Sequence, residues 1–302
     1  MKIVLAGGSG SLGRRIAADL TSRGDEVVIL TRSSQAALPY RQVEWDGVTV
    51  GTWAVELEGA AIVNLAGALV DRRPNPANVE LLKRSRVEPI RTLASAVGTL
   101  TTPPTVWIQA STLAIYGEGG EAILDESSPS ADGPPQMAGV ARAWEAAAHE
   151  VAAGRQVIMR TGIVLDRDTP AMDRLTGLVR WGLGGRIADG RQWVSWIHIT
   201  DFLAVVRRAL EDNSLSGVVH VTSPNPVRNA ELMAALRRVL HRPAALPTPA
   251  ALVHLGARIL GTDPALALTG RRCVPARLLE SDFTFTYPRL DAALGELLSN
   301  RS

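Results

Sequence analysis

The hydrophobic pattern of the first 165 residues alternates between short apolar runs and longer amphipathic stretches. The apolar runs, which predict buried strands, lie at 2–6, 26–30, 43–46, 60–64, 105–110 and 156–160, with a last one at 217–221. The amphipathic stretches predict helices at 14–23, 76–97 and 137–152. Repeated strand–helix alternation is typical of an α/β fold with a doubly wound parallel sheet.

The rhythm changes after residue 165. Helical and loop-like stretches follow, and the last apolar run at 217–221 is succeeded by prolines and short amphipathic segments. We therefore predict a sheet domain over 1–165, to which 195–222 returns. Residues 166–194 and 223–302 are predicted to form a smaller C-terminal α/β cap lobe.

The composition is ordinary for a globular protein, with 302 residues, 46% hydrophobic and 21% charged, and a formal net charge of +2. Its arginines are scattered and form no basic stripe with aromatics, so no nucleic-acid partner is expected. The single cysteine excludes an intrachain disulfide, and the histidines lack metal-ligand spacing. No apolar run reaches the ~20 residues of a membrane span, and no leader precedes the first strand. We expect a cytoplasmic protein with no metal and no membrane partner.

A glycine-rich turn follows the first predicted strand. Gly7, Gly10 and Gly13 are spaced G-x-x-G-x-x-G and lead directly into the first helix. Strand, glycine turn and helix N-terminus in this order form a cradle for a pyrophosphate, because backbone N–H groups approach the phosphates closely. The predicted contacts are Gly7, Ser9, Gly10, Ser11, Leu12 and Gly13, although an ordinary glycine-rich αβ turn has the same pattern.

The end of the second strand indicates which dinucleotide is bound. An NAD-specific site usually carries an acidic residue here, whereas this chain has Thr31 and Arg32. A hydroxyl and a guanidinium suit a 2′-phosphate. NADP(H) is therefore the predicted cofactor, with a solvated loop arginine as the alternative.

Further candidates lie at the ends of later strands. Asp46 either approaches an adenine ring or caps the turn at Gly47, and Leu65, Ala66 and Gly67 form a loop of mostly small residues that passes close to the cofactor. Asn64 either holds that loop or contacts the ligand. Ser111 ends a central strand, where ligands of open α/β sheets bind, and Tyr116 follows in the same loop.

Several motifs together resemble a known family. They are Ala6–Gly13, Asn64–Gly67, Arg160–Val164, Trp196–Asp201 and Ser223–Asn229, in that order. The chain is similar to the extended short-chain dehydrogenase/reductases, the nucleotide-sugar epimerase/dehydratase superfamily. Within it, the chain resembles the "epimerase family" branch, which has its own C-terminal domain of unknown function.

The resemblance implies a Rossmann domain that binds NADP(H) and a cap over the strand ends. It places Arg86 against the cofactor from its helix and Ile163 beside the nicotinamide, and Ala110 and Arg160 complete the predicted cofactor-binding set. A solvated helix face is the alternative for Arg86. The resemblance also implies a possible homodimer through the helices at 76–97 and 137–152.

One departure from that superfamily concerns catalysis. Its chemistry uses a Tyr-x-x-x-Lys pair, but the corresponding segment 136–145 contains neither tyrosine nor lysine. Ser111 and Tyr116 are therefore the predicted catalytic residues, although an unperturbed tyrosine is a poor base at neutral pH. The sequence predicts an NADP(H)-dependent oxidoreductase or epimerase for a small polar or sugar-like substrate. The alternative is a catalytically silent NADP(H)-binding sensor or partner-binding protein.

Overall fold

A computed structural model describes residues 1–151, 154–167 and 169–299. The strands are β1 (Lys2–Ala6), β2 (Glu26–Thr31), β3 (Arg41–Glu44), β4 (Ala61–Asn64), β5 (Val106–Thr112), β6 (Ile123–Leu124), β7 (Gln156–Thr161), β8 (Ile163–Leu165), β9 (Trp193–Val194), β10 (Trp196–His198), β11 (Gly217–Val221), β12 (Val227–Arg228) and β13 (Arg272–Cys273). The helices are α1 (Ser11–Ser22), α2 (Pro76–Val97), α3 (Val140–His149), α4 (Pro170–Arg180), α5 (Ile199–Glu211), α6 (Asn229–Val239), α7 (Ala250–Leu260), α8 (Ala265–Leu268), α9 (Ala276–Glu280) and α10 (Leu290–Leu298).

The main sheet has seven parallel strands in the order β11-β7-β5-β4-β1-β2-β3. Six of the seven strands are short runs of mostly buried residues, as expected for a sheet covered on both faces, whereas the edge strand β3 has no buried residue. The order reverses at β1, so the carboxyl ends of β1 and β4 border the crevice in which such sheets bind ligands. The predicted doubly wound α/β fold is confirmed.

Two hydrophobic clusters cover the sheet. One joins Ile3, Leu5 and Ile108 to helices α1, α5, α6 and α10, and the other joins Val4, Ile62 and Trp107 to α2 and α3. Helices α6 and α10 come from the predicted cap lobe, yet they pack into the same cluster as the sheet. The proposed boundaries of domain and cap remain a prediction.

The predicted third helix begins later than its sequence pattern indicates. Residues Pro135–Gly139 form a π-helical turn, and α3 starts only at Val140. The predicted end at Ala152 lies outside the described residues. The first helix begins earlier than predicted, at Ser11, and none of the described helices combines the length and apolar character needed to cross a bilayer.

Candidate functional site

The glycine turn between β1 and α1 requires glycine at two positions. Gly7 has φ of +77°, and a Cβ there would lie 2.9 Å from the backbone nitrogen of Ala66. A Cβ on Gly13 would lie 2.5 Å from Cα of Gly8. The turn is therefore in close contact with other backbone atoms at Gly7 and Gly13, whereas Gly10 is exposed to solvent.

The N-terminus of α1 is open to a ligand. Its N-cap, Gly10, provides no side-chain hydrogen bond, and the first turn contains no acidic residue. Helix geometry leaves the N–H groups of Ser11, Leu12 and Gly13 without intrahelical acceptors. Free donors at the positive end of a helix dipole fit a pyrophosphate, so the cradle suits a dinucleotide.

The loop after β4 forms the opposite wall of the cradle. Leu65 N–H donates to the Ala6 carbonyl at 2.8 Å. Asn64 Oδ1 accepts a hydrogen bond from Ala66 N–H at 3.1 Å, and Asn64 Nδ2 donates to Gln109 Oε1 at 3.0 Å. Of the two roles considered for Asn64, the structure shows the one of holding the loop.

The end of β2 presents a threonine and an arginine beside the cradle. Thr31 is buried, and its hydroxyl donates to the Ser33 carbonyl at 3.1 Å and lies 3.2 Å from Ser9 Oγ. Arg32 is exposed and belongs to none of the ion pairs among the described residues. Its guanidinium is therefore available to a ligand phosphate.

Asp46 caps the turn that follows β3. Its Oδ1 accepts hydrogen bonds from Val48 N–H at 2.8 Å and Thr49 N–H at 2.7 Å. Those bonds, led by the one from Thr49, lower the pKa of Asp46. The geometry favours the turn-capping alternative, and an adenine contact remains a prediction.

Arg86 is buried without an ionic partner in the part of the chain that the structure describes. Its guanidinium donates to the carbonyls of Leu82 at 3.1 Å and Ala68 at 3.0 Å, and its Cζ lies 4.9 Å from the Trp144 ring centroid. Burial lowers its pKa to about 10, so it remains charged at neutral pH. Its burial excludes the solvated-face alternative. A buried, uncompensated cation beside Gly67 fits an anionic ligand.

The two predicted catalytic residues meet in one buried network. The Ser111 hydroxyl donates to Glu145 Oε1 at 2.5 Å, and Arg160 pairs with both Glu145 oxygens at 2.9 and 2.7 Å. Arg160 also donates to the Tyr116 hydroxyl at 2.6 Å. The predicted cofactor contact Arg160 is therefore occupied within the protein, and its role at the cofactor remains untested.

The far end of the network is His220. Its Nδ1 lies 2.9 Å from the Val274 carbonyl, which can only accept, so the neutral ring carries its proton there and Nε2 faces the Tyr116 hydroxyl as an acceptor at 2.7 Å. The same hydroxyl lies 2.9 Å from the Asp125 carbonyl, which is a second acceptor for its proton. Burial raises the pKa of Tyr116 and lowers that of His220 to about 4. Both groups are neutral at physiological pH, which makes Tyr116 a weak general base.

Thr112, Glu145 and His220 are not among the site residues predicted from the sequence, although Thr112 stands beside Ser111 at the same strand end. Thr112 follows Ser111 and points to the opposite face of β5 because side chains alternate along a strand. Its Oγ1 accepts from Ala114 N–H at 3.1 Å, and its hydroxyl donates to no acceptor among the described residues. Its position at the strand end was a usable signal, whereas nothing in the sequence linked Glu145 to His220.

The remaining predicted contacts lie along the same edge. Ile163 is 37% exposed and its N–H donates to the Ser195 carbonyl at 2.9 Å, while Ala110 is half-buried at the end of β5.

Within the segment 136–145, the ionisable residues are Arg142, paired with Asp132, and Glu145. Gln136 donates to the Val70 and Arg72 carbonyls, and its own Oε1 is buried without a partner among the described residues.

The motif 196–201 fastens the C-terminal segment to the sheet. His198 caps α5, because its Nδ1 accepts a hydrogen bond from Thr200 N–H at 3.1 Å. Asp201 accepts from the N–H groups of Thr286 and Tyr287 at 2.7 and 2.9 Å. The side chains of this motif serve the architecture.

The parallel sheet and the cradle define a dinucleotide-binding protein of the Rossmann class. Residues 3–221 match the NAD dependent epimerase/dehydratase family, and residues 248–297 match a domain of unknown function, DUF1731. The chain belongs to the NAD dependent epimerase/dehydratase family, as the resemblance of its motifs indicated.

Individual relatives span the whole chain. The bovine epimerase family protein SDR39U1 is 34% identical over 99% of this chain and 100% of its own length. The epimerase family protein YfhF of Bacillus subtilis is 32% identical over 100% of this chain and 99% of its own length. A crystal structure of human SDR39U1 with NADPH has a TM-score of 0.88 and 32% identity, with 100% of both chains covered. The predicted type of cofactor is confirmed at the level of the family, and the human relative holds NADPH.

Proposed function

We propose that this protein binds NADP(H) and is an oxidoreductase or epimerase-like enzyme for a small polar substrate. The observation that carries the proposal is the open cradle of Gly7–Gly13, flanked by Arg32 and Arg86, neither of which has an ionic partner among the described residues. NADPH held by the human relative supports the same choice of cofactor.

Each element of the site has a separate task in this proposal. The free N–H groups at the start of α1 bind the pyrophosphate, and Arg32 with Thr31 binds the 2′-phosphate. Arg86 neutralises negative charge from the side of the Gly67 loop. Leu65 and Ala66 line the adenosine, and Ala110 and Ile163 line the nicotinamide, which supplies or accepts a hydride when bound.

Polarisation of the substrate oxygen is assigned to the end of β5. Thr112 donates a hydrogen bond to that oxygen and keeps its proton, and solvent water supplies the proton that the oxygen takes up after hydride transfer. Ser111 and Tyr116 are positioning residues in this scheme, because their hydroxyls are bound to Glu145 and His220 inside the protein. The buried network holds the end of β5 rigid beneath the substrate.

A second candidate is supported by the same network. Because the Ser111 and Tyr116 hydroxyls are already engaged, a catalytically silent NADP(H)-binding sensor is also consistent with the geometry. NADPH consumption across a panel of small aldehydes and ketones separates the two, with Thr112→Val and Thr112→Ser compared. Turnover that Val abolishes and Ser retains supports the enzyme.

Calorimetric titration with NADPH and NADH tests the cofactor assignment. Wild-type protein is expected to bind NADPH at least ~10-fold more tightly than NADH, about 1.4 kcal/mol, and Arg32→Ala is expected to lose that difference. Arg91→Ala, an exposed arginine on α2, is the matched control and should change neither affinity. Equal binding of both nucleotides by the wild type would refute the role of Arg32.

A further inference from the structure

The C-terminal region carries a set of large apolar side chains that are left in solvent. Their exposure is 85% for Trp181, 58% for Leu183, 89% for Leu246, 56% for Leu252, 55% for Leu255 and 72% for Ile259. We name these six residues the apolar cap face. Single exposed leucines are ordinary on protein surfaces, but a concentration of them marks an interaction site.

These residues come from three segments that lie together. Thr248 N–H donates to the Arg186 carbonyl at 2.9 Å, and Ile187 pairs with Thr248 in a β-bridge, so the loops at 181–188 and 246–249 are adjacent. Helix α7 begins directly after the second loop. Its Leu252, Leu255 and Ile259 are spaced i, i+3 and i+7 and share one face, while only Ala257 of this helix is buried.

The surroundings of the apolar cap face are predominantly basic, although the exposed Asp189 follows the loop at 181–188. Residues 232–262 contain four arginines, two histidines and no aspartate or glutamate. Arg180, Arg186, Arg242 and Arg258 are exposed and take part in none of the ion pairs found in residues 1–151, 154–167 and 169–299. Asp71, which contacts this region, is paired with Arg174 and Thr262.

The charge and the shape of the apolar cap face indicate which kind of partner it binds. Two copies of the chain meeting here would bring their arginines together, which disfavours a symmetric dimer at this face. Side chains that are more than four-fifths exposed, as Trp181 and Leu246 are, stand out from the surface and do not line a pocket. A lipid bilayer with anionic headgroups fits such a surface. The protruding apolar side chains can enter the acyl region while the surrounding arginines contact the headgroups.

We propose that the apolar cap face docks on an anionic lipid surface. The six apolar side chains enter the boundary between headgroups and acyl chains, and the four arginines pair with the headgroups. Such binding is peripheral and reversible. The proposal replaces the expectation of no membrane partner, which rested on the lack of an apolar run long enough to span a bilayer. It needs no spanning helix, and none of the helices in the described residues could be one. It is independent of the proposed enzymatic function.

Co-sedimentation with vesicles tests the proposal. The purified full chain is mixed with phosphatidylcholine vesicles that contain either no phosphatidylglycerol or about one-third of it. Binding to the anionic vesicles is expected to exceed binding to the neutral ones at least ~10-fold, and to fall as salt rises from about 50 to about 500 mM. Equal binding to both vesicles, or no binding to either, would overturn the proposal.

Three variants locate the contact. Leu252→Ser/Leu255→Ser/Ile259→Ser is expected to lower vesicle binding at least ~10-fold, since each substitution removes several methylenes from the lipid. Arg180→Gln/Arg258→Gln is expected to reduce binding to the anionic vesicles alone. Val55→Ser/Leu279→Ser, two exposed apolar residues elsewhere, is the matched control and should bind like the wild type.

Two control measurements, of folding and of self-association, accompany the vesicle assay. Thermal unfolding of each variant confirms that it is folded, which is expected because every substituted side chain is exposed. Sedimentation velocity without vesicles reports self-association. If the triple serine variant loses a dimer and leaves vesicle binding unchanged, the face is an interface between copies of this chain and the lipid proposal is wrong.

Discussion

The ion pair between Glu145 and Arg160 offers the sharpest test of the buried network. Their side chains are only 5% and 10% exposed, and Glu145 accepts three hydrogen bonds, one from Ser111 and two from Arg160. Glu145→Gln keeps the shape of the side chain and removes its charge. Arg160 is then left buried without compensation, and breaking such a pair costs ~3–5 kcal/mol of unfolding free energy.

Urea unfolding measures this loss through the shift of the midpoint at constant m-value. Glu88→Gln is the matched control, because Glu88 pairs with Arg84 on the exposed side of α2, and its loss is expected to be below ~0.5 kcal/mol. The double variant Glu145→Gln/Arg160→Gln should lose about 2 kcal/mol less than the sum of the single variants, because the unpaired charge is gone. A loss for Glu145→Gln no larger than that for Glu88→Gln would refute the reasoning.

Two further predictions concern buried charge and protonation. Arg86→Met is expected to weaken NADPH binding at least ~10-fold, while the unfolding free energy changes by no more than about 1 kcal/mol, because the substitution removes a buried charge together with its three hydrogen bonds. Calorimetry and urea unfolding check this, and unchanged NADPH affinity would contradict it. Burial lowers the pKa of His220 to about 4 in the native protein, whereas in the unfolded chain the imidazole has its ordinary pKa of about 6.5. As the pH falls below about 6.5, the imidazole is therefore protonated in the unfolded chain before it is protonated in the native protein. Stability is therefore expected to fall by about 3 kcal/mol between pH 6.5 and pH 4. His220→Gln should flatten this part of the pH profile of the melting temperature, and an unaltered profile would exclude His220 as its source.

Several parts of the fold could be predicted because they are encoded locally. The strands β1, β2, β4, β5, β7 and β11 follow from apolar runs, and the bounds of α2 follow from its periodicity and the proline at its start. The paired strands β6, β9, β12 and β13 have two residues each and carry no usable pattern. They form only because partners distant in the chain supply their hydrogen bonds.

The candidate site also has a part that is encoded locally and a part that depends on residues distant in the chain. The cradle and the end of β2 could be identified from sequence because glycine spacing and the residue after a strand are short-range features. The network could not, since Tyr116 and His220 are 104 residues apart and Glu145 and Arg160 are 15 apart. Arg86 lies in a charged stretch of α2, so its burial could not be predicted from the sequence. The burial results from contacts with Trp144 and with the loop at Gly67, both distant in the chain.

By itself, the sequence indicated the α/β architecture, and it predicted where the dinucleotide cradle lies and that the site prefers a 2′-phosphate. Periodicity, glycine turns and strand ends act over a few residues and do not depend on the rest of the fold. The tertiary structure decided that Ser111 and Tyr116 are engaged inside the protein, that Arg86 is a buried cation, and that the leucines of α7 face solvent. Burial and pairing depend on which segments meet in space, and that is settled only when the sheet and its helices pack together.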